Sequence, residues 1–141
     1  MTLKVSKVEL WSATIDDRAG GAADKLEPLS KAGADFEFVF TRRTPEQPGM
    51  GVMFVTPVKR AKVLQAAQAA GFGNSAGAHA LRIEGANQPG ASAKLMRSLA
   101  NAGISFRALS ATAIGRKFVG FVLLDNAEDA AGAAGLIRKL R

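Results

Sequence analysis

The 141-residue chain contains no cysteine. That excludes disulfides, thiolate metal centres and cysteine nucleophiles. Histidine is nearly as scarce: His79 stands alone, at the start of an expected strand and without a carboxylate cluster at metal-ligand spacing. A lone imidazole so placed reads as a structural or exposed residue, not as a ligand or general base. No apolar run approaches the ~20 residues of a membrane helix. Met1-Thr2-Leu3-Lys4 lacks the basic-then-apolar pattern of a secretory leader, so the expected location is cytoplasmic. There is no Gly-x-Ser-x-Gly elbow, no phosphate loop ending in Gly-Lys-Ser/Thr and no long dinucleotide fingerprint. The doublet Asp16-Asp17 lies in an expected turn, where adjacent carboxylates cap and solvate rather than catalyse. The expectation is a protein that is not an enzyme, with no catalytic residue, no metal and no cofactor.

What is present is ordinary in amount and unusual in arrangement. With 48% hydrophobic and 22% charged residues, the chain has the composition of a globular protein. The net charge of +7 is uneven: beyond Ala70, nine basic residues face only Glu84, Asp125, Glu128 and Asp129. Such an excess attracts nucleic acid, anionic ligands or acidic partners, although scattered charges more often form a solvated face.

The chain repeats itself. Adding seventy to a residue number brings the halves into register without a gap: Gly20 meets Gly90, Leu26 meets Met96, Leu29 meets Leu99, Gly33 meets Gly103 and Phe36 meets Phe106. A fixed internal period marks a duplicated supersecondary unit. Each copy has only about seventy residues, a size at which a lone hydrophobic core is marginal. The copies are therefore expected to share a core or sheet, and to form a homodimer. The expected division is residues 1–76 and 77–141.

Partial alternation over Lys4 to Thr14 predicts one long first strand, with Asp16 or Asp17 capping a helix from Gly20 to Ala32 that buries Ala23, Leu26 and Leu29. Pro28 within it predicts a kink or early break. A strand with an aromatic face (Phe36, Phe38, Phe40), a hairpin loop over Arg42 to Gly51, an apolar strand Val52 to Thr56 and a helix Lys59 to Ala70 follow. Gly71 to Gly77 reads as the connector. In the second copy the expectations are a strand Ala78 to Glu84, a cap at Asn87, a helix Pro89 to Ala102, and strands Ile104 to Thr112 and Phe118 to Leu124. A last helix, capped by Asp125 or Asn126, runs to about Leu140. Each copy is thus strand–helix–strand–strand–helix, one strand short of the βαββαβ ferredoxin-like sandwich. The strand at Ala78 to Glu84 could close copy one, open copy two or do both.

The strand-to-helix turns are the best candidates for chemistry. A helix start offers free N–H groups and partial positive charge, which hold a carboxylate. Gly20 and Gly21, and Gly90 with Ala91, keep bulky side chains out of the way, and Asp17 or Asn87 could hold an ammonium. That combination suits a free amino acid or similar small zwitterion, although glycine in a sharp turn needs no ligand.

The turn Asp17-Arg18-Ala19-Gly20, the Leu26-x-x-Leu29-x-x-Ala32-Gly33 helix and the strand after it resemble the opening of an ACT domain, a small amino-acid-sensing regulatory module. The usual form is Asp-Arg-Pro-Gly; the first copy has Ala19 for proline, and the second, Asn87-Gln88-Pro89-Gly90, keeps the proline and lacks the aspartate. The chain is similar in particular to stand-alone tandem ACT proteins of bacteria. That resemblance implies an α+β fold of two ferredoxin-like units, with antiparallel sheets and helices on one face. It also implies amino acids bound between units at Asp17, Arg18, Gly20 and Gly21 and at Asn87, Gln88, Gly90 and Ala91, and possible regulation of a partner protein. Two alternatives remain. Phe36, Phe38, Phe40, Phe106 and Phe118, with Arg42-Arg43 and Arg116-Lys117 at hairpins, could bind single-stranded RNA, though helix-covered core is the favoured reading of these rings. The chain could also be a pure protein-interaction subunit.

Overall fold

The structure, a computed structural model, describes residues 2–74 and 79–140. Eight strands and four helices occur among them: β1 Leu3–Val8, β2 Trp11–Asp16, α1 Gly21–Lys31, β3 Phe38–Arg43, β4 Met50–Thr56, α2 Ala61–Ala69, β5 Gly73–Asn74, β6 His79–Ala86, α3 Ala91–Asn101, β7 Ala108–Ile114, β8 Lys117–Leu124 and α4 Ala127–Arg138. Contacts divide the chain into two units, Glu9–Ala76 and Met1–Val8 together with Gly77–Arg141. Each is a four-stranded antiparallel sheet with two helices, the ferredoxin-like arrangement.

In the unit Glu9–Ala76 the strand order is β3-β4-β2-β5. The apolar strand β4 sits inside the sheet, as an uninterrupted hydrophobic run should. Ala13, Ile15, Met53 and Val55 point to one face and pack with Leu29 of α1 and Ala67 of α2. The core stripe of α1 runs through Gly21, Ala22, Leu26 and Leu29, one residue round from the expected one, and leaves Ala23 exposed. Pro28 does not end α1 early, since the helix continues to Lys31. The strand expected from Phe36 begins at Phe38, and Phe36 packs against the core. The expected loop at Arg42 to Gly51 is shorter, because β3 extends to Arg43 and β4 starts at Met50.

The other unit has the order β1-β6-β8-β7. Here the expected single first strand is corrected. The segment is two strands, broken at Glu9–Leu10, and each serves a different sheet: β1 pairs with β6 from Leu3↔Gly85 to Val8↔Ala80, whereas β2 pairs with β4 and β5. Leu3 and Val5 belong to the core of Leu81, Ile83, Leu95, Leu99, Val122 and Ile137. The N-terminal strand therefore supplies the fourth strand that the second copy lacks, and residues 1–8 fall on the other side of the expected 76/77 division. In the first unit the fourth strand is β5, only two residues long, within the expected connector. The strand expected from Ala78 is β6, which opens the second copy; Ala78 itself lies outside the described residues. In α4, Ala130, Ala133, Ala134 and Ile137 recur at helical spacing and are buried, and Asn126 caps the helix by accepting from the Asp129 N–H at 2.8 Å.

The repeat is exact where it was legible. Helix α3 is α1 shifted by seventy residues at both ends, Gly20 and Gly90 are both left-handed, and Leu29 and Leu99 are both fully buried. Among the described residues no helix is long and apolar enough to cross a membrane, and no cluster of three or more acidic or histidine side chains could hold a metal.

Candidate functional site

Each repeat passes from its first strand to its first helix through the same hydrogen-bonded turn. The Asp17 N–H donates to the Gly49 carbonyl (2.9 Å), and the Asn87 N–H to the Arg116 carbonyl (2.8 Å). Gly21 donates to Arg18 (3.0 Å) as Ala91 donates to Gln88 (3.1 Å), and Asp24 to Gly20 as Lys94 to Gly90. The amides of residues 21 and 91 are thus used within the turn. Those of the next helical residues have no intrahelical acceptor, because an α-helix leaves its first N–H groups unpaired.

Asp17 and Asn87 do not cap the helices. The caps are Gly20 (φ 90°) and Gly90 (φ 82°), neither with a side-chain hydrogen bond, because the helices begin at Gly21 and Ala91, beyond the cap-to-helix spacing of Asp17 and Asn87. Left-handed φ favours glycine there. Gly21 is fixed by packing: a Cβ would lie 2.1 Å from the Asp16 carbonyl oxygen. These glycines are required by the turn itself. Ala91, 4% exposed, directs its methyl into the core, so only its backbone faces the turn.

The side chains around the two turns differ. At the first, Asp17 accepts from Arg43 Nε (2.8 Å), and Arg18 pairs with Asp24 (2.7 Å) and Asp16 (3.6 Å). The hydrogen bond to Asp24, more than the charge attraction, raises the Arg18 pKa above the ordinary guanidinium value. A cleft of about 320 Å³ opens beside the turn, lined among others by Asp16, Asp17, Arg18, Ala22, Arg42 and Arg43. A second, of about 300 Å³, shares Asp16 and Arg18 with it and is lined also by Gly21, Asp24, Lys25 and Ala70.

Register brings Arg43 to Asp17. Gly51 lies between Ile15 and Arg43 across the sheet, and a Cβ on it would lie 2.7 Å from the Arg42 carbonyl oxygen and 3.2 Å from the Ile15 side chain, so glycine lets the strands and Ile15 pack there. At the second turn the corresponding trio is Gly85, Phe118 and Ala113. The Phe118 ring, 3% exposed, belongs to that unit's core. The positions matching Arg42 and Arg43 are Thr112 and Ala113. Asn87, Gln88 and Gly90 are exposed, in a turn without an acidic or basic side chain.

The structure thus groups Asp17, Arg18, Gly20 and Gly21 in one place and Asn87, Gln88, Gly90 and Ala91 in another. It adds Arg43 to the first through its bond to Asp17, a residue that in the sequence read as part of a hairpin. The aromatic expectation divides. Phe36 and Phe118 pack in cores, but Phe38 and Phe40 lie away from the helices, which corrects their assignment to core. Phe38 stacks on Phe40 (6.3 Å between centroids) and Phe40 lies against Phe54 (6.4 Å). Phe106 is 38% exposed.

Two sheets of this topology, each with its strand-to-helix turn, define the ACT-type ferredoxin-like fold. Solved structures agree over nearly the whole chain. A protein from Bacteroides thetaiotaomicron superposes with a TM-score of 0.73 at 17% identity, over 96% of this chain and 99% of that one. The regulatory subunit of aspartate kinase from Thermus thermophilus, in its ligand-free form, gives 0.65 at 15% identity over 97% and 95%. That from Thermus flavus gives 0.63 at 16% identity over 97% and 95%. No known protein family and no curated protein matches the sequence. Identities this low speak for the fold alone.

Proposed function

We propose that this chain is a non-catalytic regulatory protein that binds a free amino acid or similar small zwitterion, as a homodimer of tandem ACT units. The observation that carries the reading is the first turn, where Asp17, Arg18 and Arg43 place both signs of charge around one cleft near the start of α1. Asp17 suits the ligand's ammonium. Arg43 and the open amides of α1 suit its carboxylate. The second turn, with Asn87, Gln88, Gly90 and Ala91, offers the same backbone and neutral side chains, and would hold a ligand through amides alone. The solved aspartate kinase regulatory subunits support a regulatory role for a chain of this fold.

The test is thermal unfolding of the full chain with each of the twenty amino acids at millimolar concentration. A ligand at a hundred times its Kd stabilises the folded state by ~2.7 kcal/mol. At least one amino acid is expected to raise Tm, and Asp17→Asn to reduce that rise. Stabilisation by none would leave a scaffold or a pure protein-interaction subunit.

A second reading, single-stranded RNA on the sheet, draws on Phe38, Phe40 and Phe54, which lie on the same face of β3 and β4 as Arg42. Salt-sensitive gel shifts with RNA would support it; no binding at low salt removes it.

A further inference from the structure

The geometry points to a docking edge: β7 pairs antiparallel with β7 of a second copy of this chain, about a two-fold axis at Ala111, and joins two β1-β6-β8-β7 sheets into one. The inference rests on the homodimer in the reading above and goes beyond it in naming the strand and its register. An edge strand leaves a row of main-chain N–H and C=O groups unmatched, and folded proteins blunt such edges with charge, proline or brevity. Among the described residues the edge strands are β1, β3, β5 and β7. Strand β1 carries Lys4 and Lys7, β3 carries Arg42 and Arg43, and β5 has only two residues. Strand β7 has seven, Ala-Leu-Ser-Ala-Thr-Ala-Ile, without a charge or a proline. Its residues from Ala111 to Ile114 are exposed, and Ile114, at 67%, is the most open of the large apolar side chains among the described residues.

The occupant follows from the order of residues along the strand. Turned end for end about Ala111, β7 sets Ala108 against Ile114 of the second copy, Leu109 against Ala113 and Ser110 against Thr112. Each large side chain meets an alanine and each hydroxyl meets a hydroxyl, the self-complementarity that a two-fold contact requires. The faces agree as well. Leu109, Ala111 and Ala113 lie opposite Val122, Gly120 and Phe118, on the helix-covered side, while Ser110, Thr112 and Ile114 share the other. Charge selects the same edge. A chain of net charge +7 repels its own copy. Self-pairing at β1 would oppose Lys4 and Lys7, and at β3 it would gather the arginines of both copies along one seam. At β7 no cation enters the ladder. Thr112 and Ala113 stand where β3 has Arg42 and Arg43, so only one copy of the repeat has the uncharged edge.

The lack of cysteine allows a direct test in the full chain. Directly opposed residues of an antiparallel pair have Cα atoms about 4.5–5.5 Å apart, within disulfide reach. Ala111→Cys should therefore cross-link into a covalent dimer on mild oxidation, whereas Thr41→Cys, at the matching position of β3, should stay uncross-linked. In sedimentation equilibrium the unaltered chain should be a dimer at micromolar concentration. Ala111→Lys, which opposes two ammonium groups on the axis, should weaken that dimer about tenfold or more while Tm at low protein concentration stays unchanged. A dimer that Ala111→Lys leaves intact, an Ala111→Cys chain that dimerises without cross-linking, or a cross-link formed by Thr41→Cys instead would overturn the edge and leave the homodimer standing. A monomer at every concentration would overturn both, and amino-acid binding would still be decided by the thermal screen. Should Ala111→Lys fail to fold, the two cysteine variants decide the matter by themselves.

Discussion

The two strand-to-helix turns share their main-chain hydrogen bonds and little else. Both close through the same three hydrogen bonds, both turn on a left-handed glycine, and both launch an eleven-residue helix. Around the first stand Asp16, Asp17, Arg18, Arg42 and Arg43; the second has Ala86, Asn87, Gln88, Thr112 and Ala113 at the matching positions. Packing beneath them is exchanged as well. Ile15 and Gly51 in one unit become Gly85 and Phe118 in the other, a large residue and a small one trading strands. That exchange keeps one large side chain in each core while moving it from one strand to the next. A duplicated turn thus keeps its main-chain bonds, while its side chains are free to make one copy charged and the other neutral.

Substitutions that act on one copy alone can sharpen or break this contrast, and the lone Trp11 helps, because it sits in the unit Glu9–Ala76 and reports that unit's unfolding. The largest effect is expected at Phe118. Truncation to alanine removes a buried ring and should cost about 3–5 kcal/mol, with hydrogen exchange rising in β6 and β8 before the Trp11 signal changes. Equal loss at Trp11 would mean that the units unfold as one. Next comes the pair at residues 21 and 91. Gly21→Ala drives a methyl into the Asp16 carbonyl and should destabilise by about 1–3 kcal/mol in urea titrations followed at Trp11. The reverse change, Ala91→Gly, should cost only about 1 kcal/mol, through lost burial and helix propensity. If Gly21→Ala were harmless, the steric account of that glycine would fail.

The smallest effect concerns pH. A side-chain hydrogen bond from Arg82 holds the Glu84 pKa below its ordinary value of 4.5. A depressed folded-state pKa contributes stability above the unfolded value that is lost as pH falls through the folded one. Acidification from about pH 4.5 downward should therefore weaken the second unit slightly, and Glu84→Gln should flatten that dependence. The residues in register in the first unit are Ser12 and Thr14, so the Trp11 transition should not share this contribution. The slopes of the two units, measured between pH 3 and 6 by exchange and by fluorescence, check the assignment.

Sequence alone revealed much of this architecture, because the repeat has no gap from Gly20 to Phe36 and its matched glycines and leucines occupy matched places. What stayed hidden has identifiable causes. Leu3, Val5, Ala13 and Ile15 all fall on odd numbers, so alternation reads straight through the break between β1 and β2. Only Leu10, buried out of phase after Glu9, betrays it. Strand β5 has two residues, too few for any periodicity, and its one clue is the burial of Phe72 just before it. At the site, Asp17, Arg18, Gly20 and Gly21 could be chosen because they are contiguous. Arg43 could not, because only the β3–β4 hairpin register brings it back to the end of β2.

The displaced first strand has one more implication. Leu3–Val8 is translated before Glu9–Ala76, yet its partner, His79–Ala86, is made only after that segment. The intervening residues, Glu9–Ala76, can close their own sheet while that early ribbon waits with its main-chain groups unmatched. Synthesis therefore completes the inner unit before the outer one that brackets it. Transplanting the ribbon behind α4 would convert this nested order into two consecutive units, each finished as soon as it is translated.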